Sequence, residues 1–280
     1  MADGGRGSRR SGRPAGVFEW GVVVAVLVFL GVVVVFPLTA LVGEVAAHPR
    51  DVWKGLATKE ALHALQLSCF LAAISVAING VVGVGGALVL VRQRFFLRRV
   101  LDAMVDLPLA VSPVMTGLGF LLLFGRNGIF GPALGAADID VAFAFPGLVI
   151  ATLFVSLPFT IREVALVLEE LGTSEEDAAA TLGANPWTTF WRVTLPNIRH
   201  GLTLGLTLTT ARSLGEFGAV LVLGGAIANK TDTATTFIHG AIEERHGPAG
   251  YGMALLLAGL AIALLAFLQR VKQRPALRVS

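Results

Sequence analysis

The chain contains little charge and almost no cysteine. Charged residues make up 15% and hydrophobic residues 55% of its 280 residues, whereas a soluble domain carries about 25% charged residues. The single cysteine, Cys69, excludes an internal disulfide. We interpret it as a packing residue, because a free thiol within an apolar run behaves as a small buried hydrophobic group. The composition argues against an ordinary soluble domain and favours a chain that folds in a bilayer.

The sequence motifs of common enzymes are also missing. The five histidines form no H-E-x-x-H motif, and neither G-x-S-x-G nor a basic and aromatic nucleic-acid pattern occurs. His239 and His246 are interpreted as surface-loop residues rather than metal ligands. The segment 224–231 is close to a P-loop, but Asn229 stands where that loop requires glycine and no strand precedes it. We expect no catalytic site, no metal site and no ATP hydrolysis in this chain.

Long apolar runs are abundant instead. Six are long enough to cross a bilayer as helices of about 20 residues, and backbone groups in lipid require the internal hydrogen bonds that a helix supplies. We therefore predict an all-α, polytopic membrane protein with six transmembrane helices. The predicted spans are Phe18–Leu41, Ala61–Val91, Leu101–Phe124, Phe143–Ile161, Gly201–Ile227 and Tyr251–Leu268.

Arginine is concentrated at alternate connections between these runs. It is dense in residues 6–13, 92–99 and 270–278, and it is sparser or balanced by acidic residues in the other loops. The positive-inside rule then places both termini in the cytoplasm. Residues 1–17 are predicted to form a disordered cytoplasmic tail, residues 18–270 the membrane domain, and residues 271–280 a second cytoplasmic tail.

A polar segment, Glu175–Ile198, separates the fourth and fifth predicted spans on the cytoplasmic side. Thr173 and Glu176 have the spacing of a capping box, with Thr173 as the N-cap of a short helix. Gly183 is the expected stop of that helix, because glycine adopts the left-handed C-cap conformation at little cost.

A second short helix is predicted directly afterwards. Asn185–Pro186 fits an N-cap followed by proline at the first helical position, and Leu195–Pro196 is expected to end or bend this helix. Its apolar side consists of Trp187, Phe190 and Trp191. On these features alone the segment is either an amphipathic element at the membrane surface or a docking element for a soluble partner.

The spacing within this segment resembles the EAA loop of permease subunits in binding-protein-dependent ABC importers. That family's pattern is Glu-Ala-Ala, three residues, Gly, nine residues, Ile, one residue and Leu-Pro. Here aspartate replaces the glutamate and valine replaces the isoleucine, and both substitutions retain charge or shape. The resemblance implies that the loop at 172–198 couples to a cytoplasmic ATPase through Glu176, Asp177, Ala178, Ala179, Gly183, Val193, Leu195 and Pro196.

Other segments resemble the sulfate and molybdate permease branch of that family, which includes the CysT, CysW and ModB types. They are Asp106–Leu118, Phe124–Gly128, Leu157–Val164 and Ala211–Gly225. The Ser-Pro pair in the third predicted span and the Arg-Glu-Val after the fourth favour the CysW type. The resemblance covers roughly residues 20–270 and implies a type I ABC importer permease fold in a prokaryotic cytoplasmic membrane.

The resemblance implies a subunit of an ATP-driven sulfate importer, with thiosulfate as a further candidate substrate. The implied partners are a CysT-type permease in a heterodimer, two copies of a cytoplasmic ABC ATPase, and an extracytoplasmic sulfate-binding protein. ATP and magnesium belong to that ATPase, and this chain is expected to bind no cofactor. A molybdate or tungstate permease is the alternative, because these dianions are also tetrahedral. A stand-alone secondary transporter would need inverted repeats and coupling-ion sites within the membrane, and neither is seen.

Ionisable and helix-breaking residues within two predicted spans are the candidates for the transport pathway. Arg212 and Glu216 lie four residues apart, and ionisable groups at membrane depth usually face the interior of the bundle or an aqueous cavity. They either pair with each other, pair with another subunit, or line the pathway or its gate. Ser112, Pro113 and Thr116 make the third span irregular, either as an ordinary proline kink or as part of the pathway lining.

Overall fold

The computed structural model describes residues 17–244 and 246–272. Residues 1–16 and 273–280, which form most of the two predicted tails, lie outside the described residues. Within the described ranges every regular element is helical, so the all-α prediction is confirmed. The chain divides after His48 into two compact units.

The described part of the first unit, from Val17 to Ala47, is a continuous apolar helix. Its parts are α1 (Val17–Leu30) and α2 (Phe36–Ala47), joined by a π-helical turn at Gly31–Val35. The stretch Trp20–Ala47 has 28 residues and contains an 18-residue window with a mean hydropathy of 3.0, which is sufficient to cross a bilayer by length and composition. The wide π turn stands immediately before Pro37, which has no N–H for the usual helical hydrogen bond.

The second unit is a bundle built on long helices joined by short helical connections. Its helices are α3 (Pro49–Leu56), α4 (Lys59–Arg92), α5 (Arg98–Ala110), α6 (Pro113–Phe124), α7 (Gly131–Ala136), α8 (Phe145–Leu171), α9 (Ser174–Thr181), α10 (Pro186–Thr189), α11 (Leu195–Leu214), α12 (Gly218–Gly224), α13 (Ala234–Glu243) and α14 (Gly247–Lys272).

All six predicted spans fall on helices, but two of them are broken. By length and composition four helices could cross a membrane, or up to six if each of two bent helix pairs is one span. The chain bends by 113° between α5 and α6, and by 52° between Pro186–Leu214 and α12. Leu101–Phe124 and Gly201–Ile227 are therefore each divided by a bend, and their assignment as single spans stays a prediction. The fourth predicted span also continues beyond Ile161 to the end of α8.

Helices α4, α8 and α11 pack closely because glycines lie where they meet. A Cβ atom on Gly201 would lie 2.6 Å from the Glu163 carbonyl oxygen, and one on Gly205 would lie 2.8 Å from Thr160 Cα. Small residues of this kind let helices in membranes approach closely. Cys69 instead lies on an exposed face of α4, so its interpretation as a buried packing residue is wrong for the single chain.

A buried polar seam crosses the three helices between two apolar clusters. Asn79 Nδ2 donates to Ser156 Oγ at 2.8 Å, and the hydroxyls of Thr160 and Thr209 lie 2.8 Å apart. All four side chains are at most 1% exposed. The polar seam, defined as these four residues, gives the buried polar groups partners within the bundle. The flanking clusters contain Leu67, Leu71, Leu148, Val155 and Leu223 on one side and Val84, Ala87, Val164, Leu168 and Ile198 on the other.

Candidate functional site

The polar segment between α8 and α11 begins with α9, which ends at a glycine in the left-handed conformation. Gly183 has a φ of +85°, which glycine adopts without the steric cost that other residues pay. The Gly183 N–H donates to the Ala180 carbonyl at 2.9 Å, and the Ala184 N–H donates to the Ala179 carbonyl at 3.0 Å. These are the two hydrogen bonds of a Schellman motif. The predicted helix stop at Gly183 is confirmed.

The start of α9 differs from the prediction. The Thr173 side chain makes no capping hydrogen bond to the backbone, and its hydroxyl donates to Asp177 Oδ2 at 2.9 Å. The Glu176 carboxylate turns towards α4 and α11 instead of towards the backbone of Thr173. The predicted capping box is therefore wrong, because a cation and a hydroxyl from other helices bind the glutamate that it required.

That cation is Arg92, the last residue of α4, and it joins three parts of the fold. Its Nε lies 2.9 Å from Glu176 Oε2, while its terminal nitrogens donate to the carbonyls of Leu168 at 3.1 Å and Gly172 at 2.6 Å. Thr194 Oγ1 donates to the other Glu176 oxygen at 2.8 Å. The Arg92 and Glu176 side chains are only 18% and 22% exposed. This link ties α9 to the ends of α4 and α8 and to the chain entering α11.

The second half of the segment leads directly into a long helix. Asn185 Oδ1 accepts from the Thr188 N–H at 2.8 Å, and proline follows it, which confirms the predicted helix start. The helix does not end at Leu195–Pro196 as one alternative predicted; it continues to Leu214. A π-helical turn at Phe190–Thr194 precedes Pro196, just as one precedes Pro37. The wider turn accommodates a residue that cannot donate a backbone hydrogen bond.

Large apolar side chains are exposed on this segment. Leu182, Trp187 and Trp191 are 89%, 70% and 50% exposed, and the two indole rings lie 5.6 Å apart. Asp177 and Ala178 of α9 are also exposed. We call these five residues the coupling surface. An exposed apolar group of this size on a short, slim helix pair is typical of a contact site for another protein or for a membrane surface.

The residues predicted for coupling therefore divide into two groups. Asp177, Ala178, Gly183 and Pro196 are exposed, whereas Glu176, Ala179, Val193 and Leu195 are partly buried. Leu195 packs against the buried cluster that contains Leu168 and Ile198. The first group can contact a partner, and the second attaches the segment to the bundle. Sequence reasoning missed Leu182 and Arg92 as members of this site.

The predicted pathway residues of the third span lie at a sharp break. Ser112 has an extended backbone with ψ 137°, as expected for a residue before proline, and Pro113 begins α6. The Thr116 side chain is buried, and its hydroxyl donates to the Ser112 carbonyl at 3.3 Å. The break turns the chain by 113°.

The predicted pathway residues of the fifth span lie at the second break. Arg212 Nη1 is 2.6 Å from Glu216 Oε2, so the two residues pair with each other. Glu216 is 3% exposed and lies beyond the end of α11, and its Oε1 accepts from the Ala219 N–H at 2.9 Å. The expectation that both residues share one continuous helix is wrong, because the helix ends at Leu214.

The two breaks lie against each other. A Cβ atom on Gly218 would lie 3.0 Å from Val114 Cγ2 and 3.1 Å from Pro113 Cβ, and one on Gly117 would lie 2.9 Å from the Ala219 carbonyl oxygen. The starts of α6 and α12 are therefore in backbone-close contact. The structure thus brings Pro113 close to Gly218, two residues after Glu216, although sequence reasoning predicted the two groups separately.

A second ion cluster joins α5 to α8. Arg162 Nη1 donates to Asp102 Oδ1 at 2.7 Å and its Nε donates to Asp106 Oδ1 at 2.8 Å. Sequence reasoning did not find this cluster. The available signal was the spacing of the two aspartates, since like charges four residues apart on a helix repel each other unless a cation lies between them.

Comparison with known proteins gives a family match over most of the chain. Residues 79–277 match the model of the family described as the binding-protein-dependent transport system inner membrane component. Over 240 residues the chain is 42% identical to the sulfate transport system permease protein CysW of Synechococcus elongatus, covering 85% of this chain and 84% of that protein. It is also 42% identical over 231 residues to the molybdenum transport system permease protein ModB of Mycobacterium bovis, covering 82% and 86%.

Solved structures give the same fold. The chain superposes with a TM-score of 0.78 on a chain in the crystal structure of a bacterial alginate ABC transporter in complex with an alginate pentasaccharide-bound periplasmic protein. The superposition covers 92% of this chain and 94% of that chain. The sequence identity of 14% makes this a likeness of fold alone.

Proposed function

Because the chain belongs to the family of binding-protein-dependent transport system inner membrane components, we propose that it is a permease subunit of an ATP-driven sulfate importer. The observation that carries this proposal is the 42% identity to a sulfate permease CysW over 85% of the chain. The chain is a transport subunit and not an enzyme. The proposed partners are a CysT-type permease, two copies of a cytoplasmic ATPase that binds ATP and magnesium, and an extracytoplasmic sulfate-binding protein.

In this proposal the chain crosses a prokaryotic cytoplasmic membrane six times, with both termini in the cytoplasm. Each of the two bent helix pairs then counts as one span. The arginine-rich turn after α4 and the segment at 172–198 lie on the same side, since Arg92 contacts Glu176. The positive-inside rule supports the assignment of that side to the cytoplasm.

The contacts of the segment at 172–198 with the bundle provide a route by which the ATPase can move the permease. The coupling surface docks on the ATPase, and the link between Arg92 and Glu176 passes its displacement to α4 and α8. The helix from Pro186 to Leu214 passes the same displacement to the break at Glu216. Closure of two ATPases thereby moves the bundle and switches the pathway between inward-facing and outward-facing states.

The pathway in this proposal holds sulfate weakly. Glu216 is paired with Arg212 at 2.6 Å, so the carboxylate weakens the attraction between the Arg212 guanidinium and a passing dianion. Weak binding favours release, and selection then belongs to the external binding protein. Ser112, Pro113 and Thr116 lie at the facing break, where freed backbone groups and hydroxyls can hydrogen-bond to the passing ion.

Sulfate uptake tests the proposal. We expect proteoliposomes that hold the complete complex and internal ATP to accumulate radiolabelled sulfate, with little inhibition by excess molybdate. Uptake abolished by trace molybdate would favour the second candidate, a molybdate or tungstate permease, which the 42% identity to ModB supports. Uptake that needs neither ATP nor the ATPase would contradict the importer itself.

The Arg92–Glu176 link gives a further prediction. Replacement of Arg92 by glutamine removes the charged hydrogen bond to Glu176 of α9 and those to the carbonyls of Leu168 and Gly172, and such bonds contribute about 1.5–3 kcal/mol each. We expect ATP-driven uptake to fall about tenfold or more while the complex still assembles, as measured by uptake and size-exclusion chromatography. Arg199→Gln is the matched control, since Arg199 is an exposed arginine on α11. Equal uptake by the two variants would contradict the proposed role of the link.

A further inference from the structure

The turn between α4 and α5 is a cationic and aromatic surface. Arg94, Arg98 and Arg99 are exposed, and within residues 17–244 and 246–272 none of them takes part in an ion pair. No acidic residue occurs between positions 93 and 101. With Phe95 and Phe96 the three arginines line an open groove of about 510 Å³. The turn therefore presents three uncompensated positive charges beside two aromatic rings.

An exposed apolar stripe continues from this turn along α5. Phe96 is 98% exposed, and Val100, Met104 and Leu107 are 53%, 61% and 46% exposed. Phe96 lies in the turn, and the spacing of four and three residues places Val100, Met104 and Leu107 on one face of α5. Another face of α5 is buried through Val105. The stripe is thus left without a partner within the described part of the chain.

The position of the turn identifies its surroundings. It follows α4, a helix of 34 residues that contains an 18-residue window with mean hydropathy 2.2 and could cross a membrane. A turn at the end of such a span lies at the boundary between water and hydrocarbon. Arginines at this level reach the headgroup phosphates, and aromatic rings favour the interface.

We propose that the turn Gln93–Arg99 binds the headgroups of anionic phospholipids, with Phe96 and the apolar stripe of α5 against the acyl chains. Charge complementarity selects the headgroup, because a phosphodiester with no compensating amine matches three free guanidinium groups. The apolar stripe favours a lipid rather than a soluble protein as the occupant of the site. A soluble partner can reach the arginines but not Met104 and Leu107, which lie further along a helix of a candidate bent span.

The site adjoins residues that hold the bundle together. Arg92, one residue before the turn, is already bound to Glu176 and to the end of α8. Asp102 and Asp106, just after it on α5, are bound to Arg162. A lipid headgroup on the turn therefore steadies the connection between α4 and α5 at the point where both attach to α8.

Lipid titration of the purified full complex tests this inference. Native mass spectrometry is used to measure binding of phosphatidylglycerol and phosphatidylcholine to the delipidated complex. For Arg94→Gln/Arg98→Gln/Arg99→Gln we expect phosphatidylglycerol affinity to fall about fivefold for each arginine removed, with phosphatidylcholine affinity unchanged. The matched control is Arg50→Gln/Lys54→Gln/Lys59→Gln, which removes three cations before and at the start of α4.

Unchanged phosphatidylglycerol binding by the first triple variant, or an equal loss in the control, would overturn the inference. The variant with three lysines in place of the arginines keeps the charge and is expected to bind phosphatidylglycerol. This variant is measured in place of the glutamine variant if the latter does not assemble. Met104→Ser/Leu107→Ser tests the stripe. Reduced lipid binding in an intact complex supports the inference, whereas dissociation of the permease pair with lipid binding retained would assign the stripe to the second permease and contradict it.

Discussion

Proline in place of Gly183 will abolish ATP-driven uptake while leaving membrane insertion and assembly with the ATPase intact. Gly183 has a φ of +85°, whereas proline is fixed near −65° and has no N–H to donate to Ala180. The Schellman motif then fails, and the defined connection between α9, which carries Asp177 and Ala178, and α10, which carries Trp187, is lost. Because proline at an incompatible position costs about 3 kcal/mol or more, we expect uptake to fall about 100-fold.

Two readouts separate this effect from misfolding. Size-exclusion chromatography reports assembly of the complex, and uptake in proteoliposomes reports coupling. Gly183→Asn is the control, because asparagine tolerates the left-handed region better than other residues with a side chain; it should retain most uptake. An assembled Gly183→Pro complex with normal uptake would contradict the proposal that this segment couples the permease to the ATPase.

Removal of the Glu216 carboxylate will destabilise the bundle and stop transport. Glu216→Ala leaves Arg212 without its partner and leaves the Ala219 N–H without its acceptor. Breaking a buried ion pair by removing one partner costs about 3–5 kcal/mol, and we expect a value at the lower end because the Arg212 side chain is 28% exposed. A lowered unfolding temperature of the purified complex and a loss of uptake are the expected results.

A double variant separates the two roles left open for this pair. Arg212→Met/Glu216→Leu removes both charges, so no unpaired ion remains and stability should return towards the parent value. If the pair contacts the passing anion, uptake stays low despite that recovery. Full recovery of uptake would show that the pair only locks the helices and would contradict its place in the pathway.

The helical architecture and the local helix ends were predictable from sequence for physical reasons. Lipid offers no hydrogen bonds to the backbone, so a long apolar run has only the helix available to it. The helix stop at Gly183 was predictable because it depends on the φ angle of that residue alone. The helix start at Asn185–Pro186 was predictable because the Asn185 side chain binds the N–H of Thr188, three residues later. Helix starts and stops that depend on residues within one helical turn can therefore be predicted from the sequence.

Features that depend on distant residues were not predictable in the same way. The Glu176 carboxylate was predicted to cap α9, but it accepts a hydrogen bond from Arg92, a residue 84 positions away. Arg162 of α8 binds Asp102 and Asp106 of α5; the spacing of the two aspartates indicates that a cation lies between them, but not which cation it is. Ser112, Pro113 and Thr116 indicated an irregular third span, but the close approach of Gly117 to Ala219 of α12 depends on residues about 100 positions apart and was not predicted. These outcomes follow from tertiary contacts that override local preferences.

The polar seam has a consequence for the synthesis of the chain. Helix α4 leaves the ribosome before α8 exists, since synthesis proceeds from the N-terminus, so Asn79 enters the membrane without Ser156, its hydrogen-bond partner. The high hydropathy of the 34-residue helix compensates for one unpaired amide. The arrival of α8 then satisfies that amide, and Thr209 of α11 follows. The order in which the helices are made is therefore also the order in which their polar groups find partners.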